Sequence, residues 1–291
     1  MTSPRFLPAG SVAEGGDPVA ISTRSERSAY TGLRVMSLAP GESRTFTTGT
    51  SEAAVLPLSG PCRVEVEGRS WDLKGREGVF SGISDFAYVP IDAELRITAA
   101  APAEIALCSA EAGRRIDPYY VAASDVPVEV RGGGPAARQV NNFLAAHAHD
   151  AAAMIAVEVL TPGGCWSSYP SHKHDEDSDV EVALEEIYYF RIAGRGGTGF
   201  FSCYTADGEI DDTVTVRDGD VYLVPRGYHG PAAAAPGYHM YYLNVMAGTQ
   251  AERRWRYTDD PVHAWVRDAM EQLEPDPRLP LTTAGDHPDR P

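Results

Sequence analysis

Positive charge is scarce in this chain of 291 residues: 25 Lys and Arg stand against 41 Asp and Glu, a formal net charge of −16. That balance argues against nucleic acid, whose binding depends on neutralised phosphates, and against anionic membrane surfaces. It leaves room for an anionic small molecule, because one local arginine outweighs distant charges screened over a Debye length of about 8 Å. Cysteine is also sparse. Cys62, Cys108, Cys165 and Cys203 are scattered without a CxxC pair, so they read as reduced, mostly buried thiols rather than a disulfide framework. No run approaches the roughly 18 apolar residues of a membrane span. The start, Met1-Thr-Ser-Pro-Arg-Phe6, has no apolar signal core. The cytoplasm is the expected compartment.

What is there is strand. Hydrophobic residues make up 43% of the chain and charged residues 23%, the balance of a soluble globular protein. Arg63–Val66, Glu94–Ile97, Met154–Val159 and Asp220–Val224 are typical of short apolar or alternating runs between Leu33 and Ala247. Glycine and proline punctuate them at roughly eight- to twelve-residue intervals, the pattern of an all-β sandwich or barrel. One short helix is expected near the end, capped by Asp260, with Pro261 in its first turn and Val262, Trp265, Met270 and Leu273 at helical spacing. Beyond Glu274 a proline-rich polar tail follows, suited to lying on a neighbour.

The chain also repeats itself weakly. Glu52–Gly60 lines up on Glu186–Gly194, Tyr88-Val89-Pro90 on Leu223-Val224-Pro225, and Pro102–Gly113 on Pro236–Gly248 with one residue of slippage. Two copies of one β-domain are expected, joined through Arg131-Gly-Gly-Gly-Pro135: residues 1–131, residues 132–258, then a helix and tail over 259–291. Histidine is absent from the first copy, so copy one is expected to be scaffold and copy two the site of chemistry.

That chemistry is carried by His172-Lys173-His174, then Glu186, then His229. On a strand, residues at i and i+2 share a face, so both imidazoles of the pair can reach one ion. Imidazole and carboxylate ligands suit zinc, iron, manganese, nickel or cobalt. An HxH pair alone is common and carries little. The ordered set, each part on its own expected strand, carries much more. His147 and His149 form a second HxH in an alanine-rich context with no such strand following, and read as surface residues.

These motifs resemble the cupin superfamily, which holds a metal through HxH and Glu in a first motif and His in a second. Gly219-x5-Pro225-x-Gly227 fits the second motif, with His229 one residue early. Eleven residues separate His174 from Glu186, more than cupins usually show, and Glu185 is the nearest rival carboxylate. Glu186 is preferred because it shares strand parity with Tyr188 and Phe190 and lines up with Glu52. The wider set is similar to the 5-deoxy-glucuronate isomerase family of myo-inositol catabolism, related to the 5-keto-4-deoxyuronate isomerases. Pro170–Asp175, Leu184–Tyr189, Val224–His229, Tyr241–Gly248 and Arg138-Gln-Val140 carry that likeness, which covers about Leu33 to Trp265. It implies a bicupin of two β-barrel or jelly-roll domains. It also implies a divalent metal on His172, His174, Glu186 and His229, zinc first and manganese or iron next. The implied activity interconverts 5-deoxy-D-glucuronate and 5-dehydro-2-deoxy-D-gluconate, where the long spacing to the Glu is ordinary.

Such an isomerisation needs a Lewis acid for the enediolate, a proton-transfer group and a cation for the substrate carboxylate. Tyr188 and Tyr242 are candidates for proton relay or hydroxyl binding, weighed evenly against plain barrel aromatics. Arg226 is the first candidate for the carboxylate. Arg138 becomes one if the linker folds over the site, whereas Lys173 and Arg191 are expected to point away. The acidic insert 175–185 is expected to be a solvated loop. An iron dioxygenase or a non-catalytic sugar-binding bicupin would use the same ligands. The partner is a small sugar acid, and a homo-oligomer is compatible with the edge strands.

Overall fold

Along Leu184–Ile192 the side chains alternate, as a strand's period of two requires. Tyr188 and Phe190 join one buried cluster, Ile187 and Tyr189 another. Both faces are covered, which is why the strand reads as a nearly unbroken apolar run. Ser51–Ser59 behaves alike: Val55 faces one cluster, Ala54 and Leu56 the other. The computed structural model describes residues 3–249 and 253–284 and assembles such strands into four antiparallel sheets.

In the first half, a sheet ordered Tyr119–Val121, Phe86–Val89, Ser51–Ser59, Ala103–Glu111, Thr31–Leu38, Val19–Ile21 packs over one ordered Ser43–Thr47, Glu94–Ala99, Cys62–Val66, Arg69–Leu73. Val55, Val64, Leu95 and Ile97 fill the space between them. In the second half, the large sheet runs Phe6–Leu7, Val221–Val224, Leu184–Ile192, Met240–Gly248, Ile155–Thr161, Arg138–Leu144, Val128–Arg131. Its smaller companion runs Asp211–Val216, Gly199–Tyr204, Tyr228–Ala234, His172–Lys173, Thr258–Asp259. The two large sheets meet back to back across a third core, which takes Leu56 and Phe86 from one and Phe143, Ile187 and Tyr241 from the other. The all-β, two-barrel expectation holds.

The repeat is present in the topology, but its register differs by one residue from the sequence alignment. Ala53 pairs with Val89 and Glu186 with Val224; Glu52 lies opposite Ala110 and Glu185 opposite Ala247. Glu52 therefore corresponds to Glu185, and the position of Glu186 is held by Ala53. Low identity hid the slip because neighbouring apolar residues are interchangeable. The two matched carboxylates do the same work in opposite directions. Glu52 reaches into the second barrel and accepts hydrogen bonds from the amides of Ala152, Ala153 and Met154 and from Tyr88. Glu185 reaches into the first barrel and accepts from the amides of Ala29, Tyr30 and Thr31 and the hydroxyls of Ser28 and Thr31.

Sheet membership also moves the domain limits. Phe6–Leu7 pairs with Val221–Val224, and Val128–Arg131 with Arg138–Leu144, so both belong to the second barrel despite lying before residue 132. The connection between barrels falls in 122–127, not in the glycine run. That run instead seats the C-terminal helix, Trp265–Glu271. A Cβ on Gly133 would stand 2.0 Å from Leu273 O and 2.4 Å from Met270 O, and Gly134 N donates to Glu274 O. The helix starts later than expected. Asp260 accepts from Val262 N and Tyr204 and caps a turn ahead of it, and only Val266 on the helix is buried. As far as Ala284 the tail lies on its own chain: Thr282 and Gln139 exchange hydrogen bonds through backbone and side chain, and the rest of the expected tail, 285–291, lies outside the described residues. No helix among the described residues is long and apolar enough to cross a membrane.

Candidate metal centre

The strand ladder brings the histidines together. His172 is the Cα partner of His229, which sets their ring centroids 4.6 Å apart. His174 follows two residues later, with its ring 4.7 Å from His229. The backbone of His174 is tied to Leu184, whose N donates to His174 O at 2.8 Å. Residues 175–183 thus close as a loop, and Glu186 arrives beside the pair despite the sequence gap. The first barrel has Thr47 opposite Glu94 on the matching rung and Ala53 in place of Glu186, so it carries no equivalent set.

One ligand atom from each of His172, His174 and His229 lies within 4.8 Å of the others. Glu186 Oε2 is 3.1 Å from Nε2 of both His174 and His229. The other ring nitrogens face backbone carbonyls: His174 Nδ1 to Leu184 O at 3.0 Å, His229 Nδ1 to Gly227 O at 3.0 Å, His172 Nδ1 to Pro170 O at 3.4 Å. A proton on each Nδ1 leaves three Nε2 lone pairs converging, the arrangement in which outer hydrogen bonds orient metal-ligating imidazoles. His229 Nε2 is buried without a hydrogen-bond partner, despite its nearness to Glu186. A buried acceptor left so is costly, and a cation at the centre would satisfy it. The donor set fits a divalent metal.

The electrostatics agree. Burial pushes His172 well below its ordinary value, helped by His229 and His174. Burial opposes charge on His174 too, but the contact with Glu186 outweighs it and raises the value. Burial would raise Glu186; its contacts with His174 and His229 hold it down to about 2. Glu186 is therefore an anion among imidazoles. Glu185, of opposite parity, faces the other barrel.

Gly230, at φ +92°, lets the chain pass Ser168: a Cβ there would meet Ser168 O at 1.8 Å. Ser168 Oγ in turn lies 3.3 Å from Tyr188 Oη and 3.1 Å from Tyr242 Oη. Both tyrosines are buried beside the cluster, Tyr188 with its ring 6.1 Å from His229. They line a pocket of about 40 Å³ together with His172, Glu186, Asn244 and Arg138. A cleft of about 750 Å³ lies beside it, and Arg131, Arg138, Tyr169, Trp255, Tyr257 and Arg267 border both.

Arg226 is not among these residues. It is half-buried at the surface and paired with Asp207 and Glu209, because Gly227 turns the chain between it and His229. Arg191 is paired with Glu104 and Asp218 away from the pocket. Lys173 turns from the cluster to Asp175 and Glu181. The acidic insert is only partly solvated: Glu181 is buried, and Asp175 accepts from Gly227 N beside His229. His149 is half-buried against Phe86 rather than on the surface. Sequence reasoning missed Ser168, Arg131, Arg267 and the Arg253-Arg-Trp-Arg-Tyr257 segment. A basic, aromatic run in so acidic a chain was the available signal.

Comparison with known proteins agrees over nearly the whole length. The description of the KduI/IolB family matches residues 6–266. The 5-deoxy-glucuronate isomerase of Geobacillus kaustophilus is 38% identical over 267 residues, covering 91% of this chain and 95% of that one. The enzyme of the same name from Bacillus subtilis strain 168 is 36% identical over 249 residues, 84% of this chain and 91% of that one. The crystal structure of an IolB-like protein from Salmonella typhimurium superposes with a TM-score of 0.84 at 32% identity, covering 91% of this chain and 99% of that chain. At the level of fold alone, oxalate decarboxylase from Lactobacillus farciminis superposes at 0.62 with 13% identity, covering 89% of each chain. The chain belongs to the KduI/IolB family and is an isomerase with a bicupin-like fold.

Proposed function

We propose that this isomerase is metal-dependent and interconverts 5-deoxy-D-glucuronate and 5-dehydro-2-deoxy-D-gluconate in inositol catabolism, in the cytoplasm. The observation that carries the reading is the convergence of His172, His174, His229 and Glu186 in a chain whose relatives bear the name of that activity. These four residues would hold the ion, with zinc the first choice and manganese or iron the alternatives. When bound, the ion supplies Lewis-acid stabilisation of the negative charge that develops as a proton moves between neighbouring carbons.

The chain's own groups supply the rest. Phenols are neutral at pH 7, so Tyr188 and Tyr242 enter as hydrogen-bond donors to substrate oxygens. Ser168 links their hydroxyls and gives a path along which a proton is passed and returned. The narrow pocket excludes bulk water from the reacting carbons, while the wider cleft takes the remainder of an open-chain sugar acid. The test is conversion of 5-deoxy-D-glucuronate by purified enzyme under nitrogen, with the product identified by NMR. Ketose at undiminished rate is expected. Product formation that needs oxygen in proportion to turnover would overturn the isomerase assignment to this substrate.

A further inference from the structure

We infer that Arg138 binds the substrate carboxylate and so sets both the orientation of the sugar acid and the selectivity for acids over neutral sugars; this rests on the reading above. Arg138 borders both the metal-side pocket and the open cleft, so it stands where a chain entering aldehyde-first would leave its far end. Three of the arginines along this border can be compared directly. Arg131 is paired with Glu129 and lies over Trp255. Arg267 is held by both oxygens of Asp259 and lies over Tyr257. Arg138 makes one hydrogen bond, from Nη1 to Ala136 O at 3.2 Å, and has no carboxylate partner among the described residues.

A guanidinium carries five N–H donors in a fork matched to a carboxylate. Leaving most of them unused in a confined site is costly. Burial, together with the nearby charges of Arg131 and Arg267, disfavours the cation here, so an arriving anion relieves a standing penalty. Two further polar residues border the same pocket, and their side-chain donors, Asn244 Nδ2 and Trp255 Nε1, are buried without hydrogen-bond partners.

The experiment uses the metal-loaded enzyme and two non-reacting probes, D-gluconate and the neutral D-glucitol, as competitive inhibitors. Wild type should be inhibited by D-gluconate at least about tenfold more tightly than by D-glucitol. Arg138→Gln should abolish that preference and lower kcat/KM on 5-deoxy-D-glucuronate about 30-fold or more, mostly through KM, as loss of a buried charged partner does. Its metal content should match wild type. Equal inhibition of wild type by both probes would overturn the inference, as would a preference preserved in Arg138→Gln. Should that variant not fold, Arg138→Lys keeps the charge without the fork, and an intermediate preference is expected; an unchanged one contradicts the role. A wild type that never turns over 5-deoxy-D-glucuronate would overturn the functional reading instead, and direct binding of the two probes, measured by titration calorimetry on wild type and Arg138→Gln, would still report on Arg138.

Discussion

Adjacent residues on one strand here serve different barrels. Glu185 and Glu186 differ only in parity, and parity alone sends one to the interdomain contact and the other to the histidines. That was legible in the sequence, because Tyr188 and Phe190 mark the interior face. The alignment with Glu52 also favoured Glu186, but for a reason the register removes: Glu52 corresponds to Glu185. Arg226 misled because three residues of sequence separation from His229 say nothing of direction once Gly227 turns the chain. The two glutamates give a paired prediction. Glu186→Gln should lose most bound metal with little change in melting temperature of the metal-free protein. Glu185→Gln should keep its metal and lose stability, by about 1–3 kcal/mol for weakened charged hydrogen bonds. Metal analysis and thermal melts of both variants check this; the opposite assignment of effects would show that the ligand is Glu185.

At the scale of elements, the pair Glu52 and Glu185 acts as a reciprocal staple. Each sits at the start of an equivalent central strand and gathers three successive amides at the start of an equivalent strand across the interface. No composition or periodicity rule reveals such a bond, since its partners are about a hundred residues or more apart. Glu52 is fully buried, so Glu52→Ala leaves four donors, three amides and the Tyr88 hydroxyl, without their acceptor. A loss on the order of 3 kcal/mol or more is expected, read from chemical denaturation at constant slope. A loss below 1 kcal/mol would mean that the staple is not structural. The glycine run illustrates the same limit of sequence reading. It read as the join between the two copies, yet the close approach of the helix end at Gly133 makes it a packed seat.

For the whole molecule, the two barrels share one core and are further tied by Phe6–Leu7, which joins the second barrel from the far end of the sequence. At the centre of the shared face, Arg76 of the first half pairs with Glu158 of the second, which also accepts from Tyr241 and Asn141. Both ions are almost wholly buried. Removing one leaves the other uncompensated, at a cost of about 3–5 kcal/mol. Arg76→Met should therefore destabilise strongly, and adding Glu158→Gln should recover part of the loss. Calorimetry should show the two barrels melting together in wild type; two separate transitions would contradict the shared core. The overall architecture was readable from strand punctuation and the weak repeat. The crossing of Phe6–Leu7 to the second barrel was not, because pairing partners are set by three-dimensional closure.

On the proposed reading, catalysis depends on one divalent ion that His172, His174, Glu186 and His229 would hold. The decisive measurement strips the enzyme with a chelator and titrates zinc, then manganese and iron(II), back while following isomerisation of 5-deoxy-D-glucuronate. The stripped enzyme should be inactive, and activity should rise linearly to one ion per chain for at least one of these metals, with no recovery for His229→Ala. Full activity in enzyme shown to be metal-free would contradict that reading.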